Sequence, residues 1–219
     1  MKIGCIIPAL NEEKTLGQVI TQVKSFVDEV IVVDDGSSDQ TSEIALCEGA
    51  ILLKHIINRG QGAALQTGNN YALANNLDIA IHFDADGQFL ANEIPDFIKA
   101  IEEGSDIVFG SRFLEKKSNM PFTKKHFIMP LARLVNKFFL KIDLTDPQSG
   151  FRALNRKALE RISIEQSGWA HCSEILAKTV KSKLKFKEVP ITVSYSKFGR
   201  SFKSGMQIIK DLFLAKLIN

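Results

Sequence analysis

The stretch "LDIAIHFDADGQF", residues 77–89, joins an apolar run to two carboxylates that lie one residue apart. Residues 77–83 have the length and apolar content of a buried strand. Asp84 and Asp86 follow where that strand ends, because an unpaired charge is costly to bury inside a sheet. Alternate residues of an extended chain point to the same side, so the two anions repel unless a cation lies between them. The stretch therefore predicts a strand that ends at a cation site.

The chemistry of two neighbouring carboxylates narrows the choice of cation. Hard divalent ions such as Mg²⁺ and Mn²⁺ take one or two carboxylates and complete their shell with phosphate oxygens and water. We therefore expect Asp84 and Asp86 to hold Mg²⁺ or Mn²⁺, and the ion to hold a phosphate. The plainer alternative is a solvated acidic turn before Gly87.

Short apolar runs alternate with helical periodicity through the first 114 residues. This alternation predicts an α/β fold with a Rossmann-like, mostly parallel sheet and flanking helices. Asn92 is the predicted N-cap of one helix, and Ser38 or Asp39 that of another. The predicted strands are "KIGCIIP" (2–8), "EVIVVDD" (29–35), "AILLKH" (50–55), "LDIAIHF" (77–83) and "SDIVFGSRF" (105–113).

Polar residues follow the ends of these strands. In an open α/β sheet, ligands bind outside the carboxyl ends of the strands, so these residues should converge on one edge. They are Pro8, Asn11 and Glu12 after the first strand, Asp34 and Asp35 after the second, Asp84 and Asp86 after the fourth, and Arg112 after the fifth.

Composition limits the remaining possibilities. The chain has 219 residues, a net charge of +3 and 45% hydrophobic residues, without repeat or linker, which predicts one domain over residues 1–219. Its three cysteines lie far apart, so neither a zinc site nor a disulfide framework is indicated, and we expect them to be buried and inert. No apolar run is long enough to span a bilayer. Clustered carboxylates repel phosphates, which argues against nucleic acid as a partner.

The second half mixes Lys and Arg with large apolar residues. The basic, aromatic-containing segments 116–142 and 203–218 predict contact with a membrane surface or with a membrane partner subunit. A helix packed on the domain is the alternative for the terminal segment. We also expect a helix near 171–182 and a strand within 185–196.

Six motifs occur in an order that resembles glycosyltransferase family 2, with its GT-A fold. They are "IIPALNEEKTL", "VVDDGSSDQT", "NRGQGAALQTG", "FDADGQ", "GSRF" and "DPQSGFRALNR". The similarity covers about residues 3–205, and within the family the chain looks most like the dolichyl- or polyprenyl-phosphate mannosyl- and glucosyltransferases.

The resemblance implies a metal-dependent, inverting transfer of a hexose from a GDP- or UDP-sugar to a polyprenyl phosphate such as dolichyl or undecaprenyl phosphate. Residues 1–114 would form the nucleotide-sugar half, and residues 115–219 the acceptor-binding, membrane-proximal half. The implied location is cytoplasmic, peripheral on the cytoplasmic face of the membrane. Mg²⁺ or Mn²⁺ is the implied cofactor.

The resemblance also implies roles for individual residues. Asp84, Asp86 and Gln88 would bind the metal, and Asp86, Arg112 and Asp146 are the candidate catalytic residues. The acceptor would meet Arg112, Arg133, Ser149 and Arg152, with Gly150 shaping the pocket. The donor would meet Pro8, Ala9, Asn11, Glu12, Asp35, Asp84, Asp86, Gln88, Arg200, Ser201 and Lys203. One departure is Gln61, where the family often has Lys; Arg59 is the candidate replacement for that charge.

Two acceptor chemistries remain open. A phosphate acceptor is already anionic and needs a cation such as Arg112 to position it. A hydroxyl acceptor, as in cell-surface polysaccharide synthesis, would need a base, for which Asp146 is the candidate. A nucleotidyltransferase is disfavoured because "PALNEE" follows the first strand in place of a basic glycine-rich loop. A non-catalytic nucleotide-binding scaffold is the alternative from another class.

Overall fold

The computed structural model describes residues 1–114, 144–168 and 170–194. This part of the chain forms a seven-stranded sheet with helices on both faces. The strands are β1 (Ile3–Ala9), β2 (Glu29–Asp34), β3 (Ile51–Lys54), β4 (Ile79–His82), β5 (Ile107–Ser111), β6 (Arg152–Asn155) and β7 (Phe186–Pro190). The helices are α1 (Leu16–Val23), α2 (Thr41–Cys47), α3 (Gln61–Ala74), α4 (Ile94–Glu102), α5 (Arg156–Arg161) and α6 (His171–Lys181).

The sheet has the strand order β3-β2-β1-β4-β6-β5-β7. All described neighbours run parallel except β6, which is antiparallel to both β4 and β5. This arrangement confirms the predicted mostly parallel α/β fold. Because β6 runs the other way, its first residue, Arg152, pairs with His82 at the end of β4. The residues just before β6 therefore lie at the carboxyl edge of the parallel strands.

Each of the five predicted strands is present, with ends that differ by one or two residues. Both predicted N-caps are wrong. Asn92 lies in a short 3₁₀ turn, Ala91–Glu93, and α4 begins after it with Pro95 in its first turn, where the missing amide hydrogen costs nothing. The cap position of α2 is held by Gln40, although Asp39 still accepts a hydrogen bond from Thr41 N at 3.0 Å.

Sequence periodicity did not predict β6 or α5. Both are short, at four and six residues, and such segments carry too few positions to establish a period of 2 or 3.6. Asn155 joins them directly, because its side chain accepts a hydrogen bond from Ala158 N and so caps α5.

The hydrophobic core has two layers, one on each face of the sheet. Along β1, Cys5 and Ile7 pack in the layer under α1 and α4, whereas Ile6 packs in the layer under α3. This alternation follows from the two-residue period of a strand. Each layer packs residues of several strands against the helices on its face.

An aromatic cluster anchors both ends of the acidic turn. Phe83 and Phe89 flank the turn, and their rings lie 5.0 and 5.3 Å from that of Phe151. Phe97 of α4 stacks on Phe151 at 4.0 Å from the other side. Such ring pairs stabilise the fold by about 0.5–1.5 kcal/mol each beyond the burial of their area. The turn is thus fixed by core residues on both sides of its carboxylates.

Within the part of the chain that the structure describes, none of the helices combines the length and the apolar character needed to cross a membrane.

Candidate functional site

The two aspartates of the "DADG" turn lie at the carboxyl end of β4. Asp84 Oδ1 accepts a hydrogen bond from Gln61 Nε2 at 3.0 Å, and Asp86 Oδ1 accepts one from Gln88 N at 3.1 Å. Burial, and then the charge of Asp86, raise the pKa of Asp84 to about 7. The chain therefore holds two carboxylates close enough to repel each other, which is the condition that a bound cation would relieve.

The side chains at this turn fit Mg²⁺ or Mn²⁺. Both ions take oxygen ligands and commonly bind proteins through only one or two carboxylates, with water and phosphate supplying the rest. Among residues 1–114, 144–168 and 170–194, no group of three or more His, Cys, Asp or Glu side chains converges to form a closed cage. Asp84 and Asp86 would hold the ion. Gln88 lies two residues after Asp86 in the same turn.

Gly150 closes one side of Asp84. A Cβ atom at this position would lie 2.6 Å from Asp84 Oδ2, a separation that real Cβ atoms do not show. The backbone just before β6 is therefore in contact with the Asp84 carboxylate. The sequence predicted only that Gly150 helps to shape the pocket.

The predicted donor-binding residues after β1 are tied to the turn that follows β2. Asn11, with a φ of 55°, donates from its backbone N to Ser37 Oγ, and its Oδ1 accepts from Ser38 N at 3.0 Å. Glu12 N donates to Thr41 Oγ1 at 2.9 Å. Pro8 and Ala9 are the buried last residues of β1. These contacts bring the predicted residues together at one end of the sheet.

Asp35 has a different setting from the one that the resemblance implies. Its side chain is buried and accepts from His55 Nδ1 at 2.7 Å, from Arg59 N at 2.9 Å and from Gly60 N at 2.7 Å. A hydrogen bond to a nucleotide base would have to share this carboxylate with three internal donors. In this structure, Asp35 holds the loop before α3 in place.

The glycines of the "NRGQG" loop are explained by packing against the chain itself. A Cβ atom at Gly60 would lie 2.3 Å from Ser167 O, and one at Gly62 would lie 1.9 Å from Gln166 O. Gly60 also has a φ of 94°, which disfavours other residues. The loop therefore needs these glycines to admit the segment at 166–167, and it places Gln61 against Asp84.

Arg112 is held by a buried carboxylate at the end of β5. Asp146 Oδ2 accepts from Arg112 Nε at 2.5 Å and Asp146 Oδ1 accepts from Arg112 Nη2 at 2.7 Å. Asp146 is fully buried, whereas the Arg112 side chain keeps 12% of its surface exposed. Both Asp146 oxygens are bound to Arg112, so Asp146 orients this cation, and these contacts do not support its predicted role as a base.

Arg152, which is predicted to meet the acceptor, is buried in the structure, and that contact stays a prediction. Its side chain is 1% exposed, and none of its guanidinium nitrogens has a hydrogen-bonded nitrogen or oxygen partner among the described residues. It faces α6, where burial raises the pKa of Cys172 but the charges of His171 and Arg152 outweigh that effect and lower it to about 6. Burial and the charge of Arg152 keep the pKa of His82 well below its ordinary value.

Sequence reasoning missed the buried group of Arg152, His171 and Cys172, and no spacing rule could have found it. Cys172 Sγ lies 3.5 Å from His171 Nε2, and neither residue has a motif that links it to Arg152. The expectation of buried cysteines is confirmed for Cys5 and Cys172 and is wrong for Cys47, which is exposed.

Ser149, between Asp146 and Gly150 in the sequence, is buried, and its contact with the acceptor stays a prediction. The remaining predicted contacts, Arg133, Arg200, Ser201 and Lys203, lie outside the described residues, as do both basic segments, 116–142 and 203–218.

Comparison with known proteins identifies the family. The family model described as Glycosyl transferase family 2 matches residues 5–163. A UDP-N-acetylglucosamine–dolichyl-phosphate N-acetylglucosaminyltransferase of Methanococcus voltae is 35% identical over 98% of this chain and 96% of its own length. A dolichol-phosphate mannosyltransferase of Pyrococcus furiosus is 33% identical over 97% of this chain and 62% of its own.

A solved structure shares the fold. Glucosyl-3-phosphoglycerate synthase from Mycobacterium tuberculosis, crystallised with Mn²⁺, UDP-glucose and phosphoglyceric acid, has a TM-score of 0.75 at 22% identity, covering 95% of this chain and 77% of that one. Together with the family match over most of the described chain, these similarities confirm the resemblance seen in the motifs. The chain belongs to glycosyltransferase family 2.

Proposed function

We propose that this chain transfers a hexose from a GDP- or UDP-sugar to the phosphate of a polyprenol, in a metal-dependent reaction that inverts the anomeric centre. The observation that carries the proposal is the pairing of two opposite sites on one sheet edge. The acidic turn follows β4, the fixed Arg112 follows β5, and β6 lies between those strands. Three neighbouring strands place the two sites about 10 Å apart, which leaves room for a diphosphate and a sugar between them.

On the donor side, the chain supplies oxygen ligands and a shaped wall. Asp84 and Asp86 would hold Mg²⁺ or Mn²⁺, which when bound stabilises the negative charge that develops on the leaving diphosphate. Gln61 orients Asp84 through its amide, and Gly150 lets the chain close against that carboxylate. Asn11, Glu12 and the turn they contact form the wall on which we place the nucleoside.

On the acceptor side, the chain supplies a positioned cation. A phosphate monoester is anionic at neutral pH, so attack on the sugar needs orientation and no strong base. Arginine is suited to this because its planar fork matches phosphate oxygens, and Asp146 fixes the plane of that fork. The same contact disfavours the candidate base of the hydroxyl alternative, since Asp146 is buried and bound to Arg112.

The relatives support a polyprenyl phosphate acceptor. The two described above are named for transfer involving dolichyl or dolichol phosphate. The solved neighbour is named for a phosphorylated acceptor of another kind, phosphoglycerate, and its crystals contained Mn²⁺ and UDP-glucose. A lipid acceptor would require this chain to work at a membrane surface, and we place it peripherally on the cytoplasmic face, with the basic segments 116–142 and 203–218 as the elements of contact.

A transfer assay tests the proposal. The chain is incubated with Mn²⁺, a panel of radiolabelled UDP- and GDP-sugars, and polyprenyl phosphate in detergent micelles, and label is measured after extraction into organic solvent. The matched control acceptor is the same polyprenol without its phosphate. We expect one donor to label the polyprenyl phosphate and none to label the polyprenol. Equal labelling of both lipids, or product in the aqueous phase only, would contradict the proposal.

A further inference from the structure

We infer that Glu188, on the edge strand β7, is a positioning residue for the acceptor cation Arg112, and that it acts through Thr145 and Asp146. The inference rests on the proposed function, because it assigns Arg112 to the acceptor. Glu188 lies 76 positions from Arg112 in the sequence, and no motif connects the two.

The Glu188 carboxylate accepts hydrogen bonds from three donors of the segment 145–146. Oε1 accepts from Thr145 N at 2.9 Å, from Thr145 Oγ1 at 2.9 Å and from Asp146 N at 3.1 Å. Oε2 shares Thr145 N at 2.9 Å. Hydrogen bonds to an ionised carboxylate are about twice as strong as those between neutral groups. The backbone on which Asp146 stands is therefore fixed from the outer edge of the sheet.

A chain of hydroxyl groups links the same carboxylate to the end of β5. Ser111 Oγ lies 2.5 Å from Thr145 Oγ1, and Phe113 N donates to Ser111 Oγ at 3.2 Å. A carboxylate only accepts, so Thr145 must donate to Glu188 and accept from Ser111, which in turn accepts from Phe113. The protons are thus ordered along one direction.

The two branches meet at Arg112. One runs from Glu188 through Asp146 N to the carboxylate that binds the guanidinium, and the other runs through Thr145 and Ser111 to the residues on either side of Arg112 in the chain. Both the plane of the Arg112 guanidinium and the path of the Arg112 backbone therefore depend on Glu188. Fixing both matters because a misplacement of about 1 Å in a reacting group can lower a rate by about 100-fold.

A structural salt bridge on the same strand offers a contrast. Lys187, next to Glu188, pairs with Glu103 at 2.8 Å, and both side chains are about half exposed. Surface pairs of this kind contribute little to stability. Glu103 is therefore a matched control: it is a glutamate bound to β7, and among the described residues its side chain pairs with Lys187 and not with the branch that leads to Arg112.

Steady-state kinetics provide the first test. We expect Glu188→Ala to raise the acceptor KM about 10- to 100-fold while the donor KM stays within about twofold. Glu188→Gln, which keeps one acceptor oxygen, should lie between Glu188→Ala and the wild type, and Glu103→Ala should match the wild type. Equal acceptor KM values for Glu188→Ala and Glu103→Ala, or equal losses for donor and acceptor, would overturn the inference.

A second test does not depend on the identity of the acceptor. In arginine-labelled protein, the Nε–H signal of Arg112, assigned with Arg112→Lys, should exchange slowly with water because Asp146 binds it. We expect Glu188→Gln to speed this exchange at least tenfold while other arginine signals keep their rates. An unchanged rate would overturn the role of Glu188 even if the acceptor proves not to be a lipid. If the exchange speeds up but no polyprenyl phosphate is glycosylated, the positioning role stands and the proposed acceptor fails.

Discussion

The proposed donor side of the site, at Asp84 and Asp86, and the proposed acceptor side, at Arg112 and Asp146, are built in opposite ways. On the donor side, two carboxylates of one turn repel each other, and the pKa of Asp84 rises to about 7 as a result of burial and of the charge of Asp86. On the acceptor side, the carboxylate of Asp146 is bound on both oxygens by Arg112. The carboxylates of one side would therefore be stabilised by an added cation, whereas the carboxylate of the other side is already paired with Arg112.

This difference indicates where ligand binding should be coupled to the fold. The donor side gains a missing interaction when metal and diphosphate bind, so its affinity and its stability should both depend on the ion. The acceptor side is preorganised by the ion pair between Arg112 and Asp146. Binding of the acceptor should therefore change the stability of the fold little. The predictions below test this contrast, starting with the largest effect.

The largest effect should follow from removing one charge of the acidic pair. Asp86→Asn keeps the size of the side chain and the oxygen that accepts from Gln88 N. It should lower transfer by about 10²–10³-fold, because the charge on the leaving diphosphate loses its stabilisation. Rates measured over a range of Mn²⁺ concentrations check this. Glu43→Gln, an exposed change of equal charge on α2, is the control and should keep full activity.

A smaller loss is expected when the wall of the donor side is filled. Gly150→Ala would place a Cβ atom 2.6 Å from Asp84 Oδ2, so either the carboxylate or the start of β6 must move. We expect transfer to fall about 10- to 100-fold. Gly168→Ala is the matched control, because a Cβ atom there has nothing of the chain within 4 Å. Similar rates for the two variants would mean that Asp84 does not require its present position.

The pH dependence of stability separates the two sides without any substrate. The folded pKa of Asp84, about 7, exceeds the ordinary value of 3.8, so the folded chain binds more protons than the unfolded chain between these limits. In chelator, stability should fall as pH rises through that window, and the melting temperature should drop by several degrees. Asp84→Asn should abolish this fall, and Mn²⁺ should reverse it above pH 7. Parallel curves for wild type and variant would contradict the predicted repulsion.

The smallest effect concerns the residue that departs from the family. Gln61→Lys would place an ammonium group beside Asp84, where it both favours the ionised carboxylate and repels a divalent ion. We expect the dissociation constant for Mn²⁺ alone to rise a few-fold, by calorimetry, with little change in melting temperature. Tighter binding of Mn²⁺ would mean that the Lys side chain does not lie against the site.

The donor side could be predicted from the sequence to a large extent, and the reason is local. A change from apolar to polar residues marks the carboxyl end of a strand, and the carboxyl ends of parallel strands lie at one edge of the sheet. Asp84, Asp86, Asn11 and Glu12 therefore assemble as expected. The sequence did not predict that the Asp35 carboxylate accepts hydrogen bonds from the loop at 55–60.

The acceptor side could not be predicted in the same way. Arg112 and Asp146 were named, but their ion pair was not predicted, and the burial of Arg152 depends on β6 running antiparallel between β4 and β5. That strand is four residues long and its direction is set by pairing with β4 and β5, not by its own pattern. Glu188 lies on a strand whose place in the sheet is likewise set by tertiary pairing.

Calorimetric titration of the donor in the presence of Mn²⁺ tests the contrast most directly. The donor found in the transfer assay is titrated into the wild type, Asp86→Asn and Arg112→Lys, with a repeat of each in chelator. We predict that Asp86→Asn loses donor binding, that Arg112→Lys retains it, and that chelator makes the wild type resemble Asp86→Asn. Full donor binding by Asp86→Asn, or wild-type binding that is indifferent to chelator, would contradict the account.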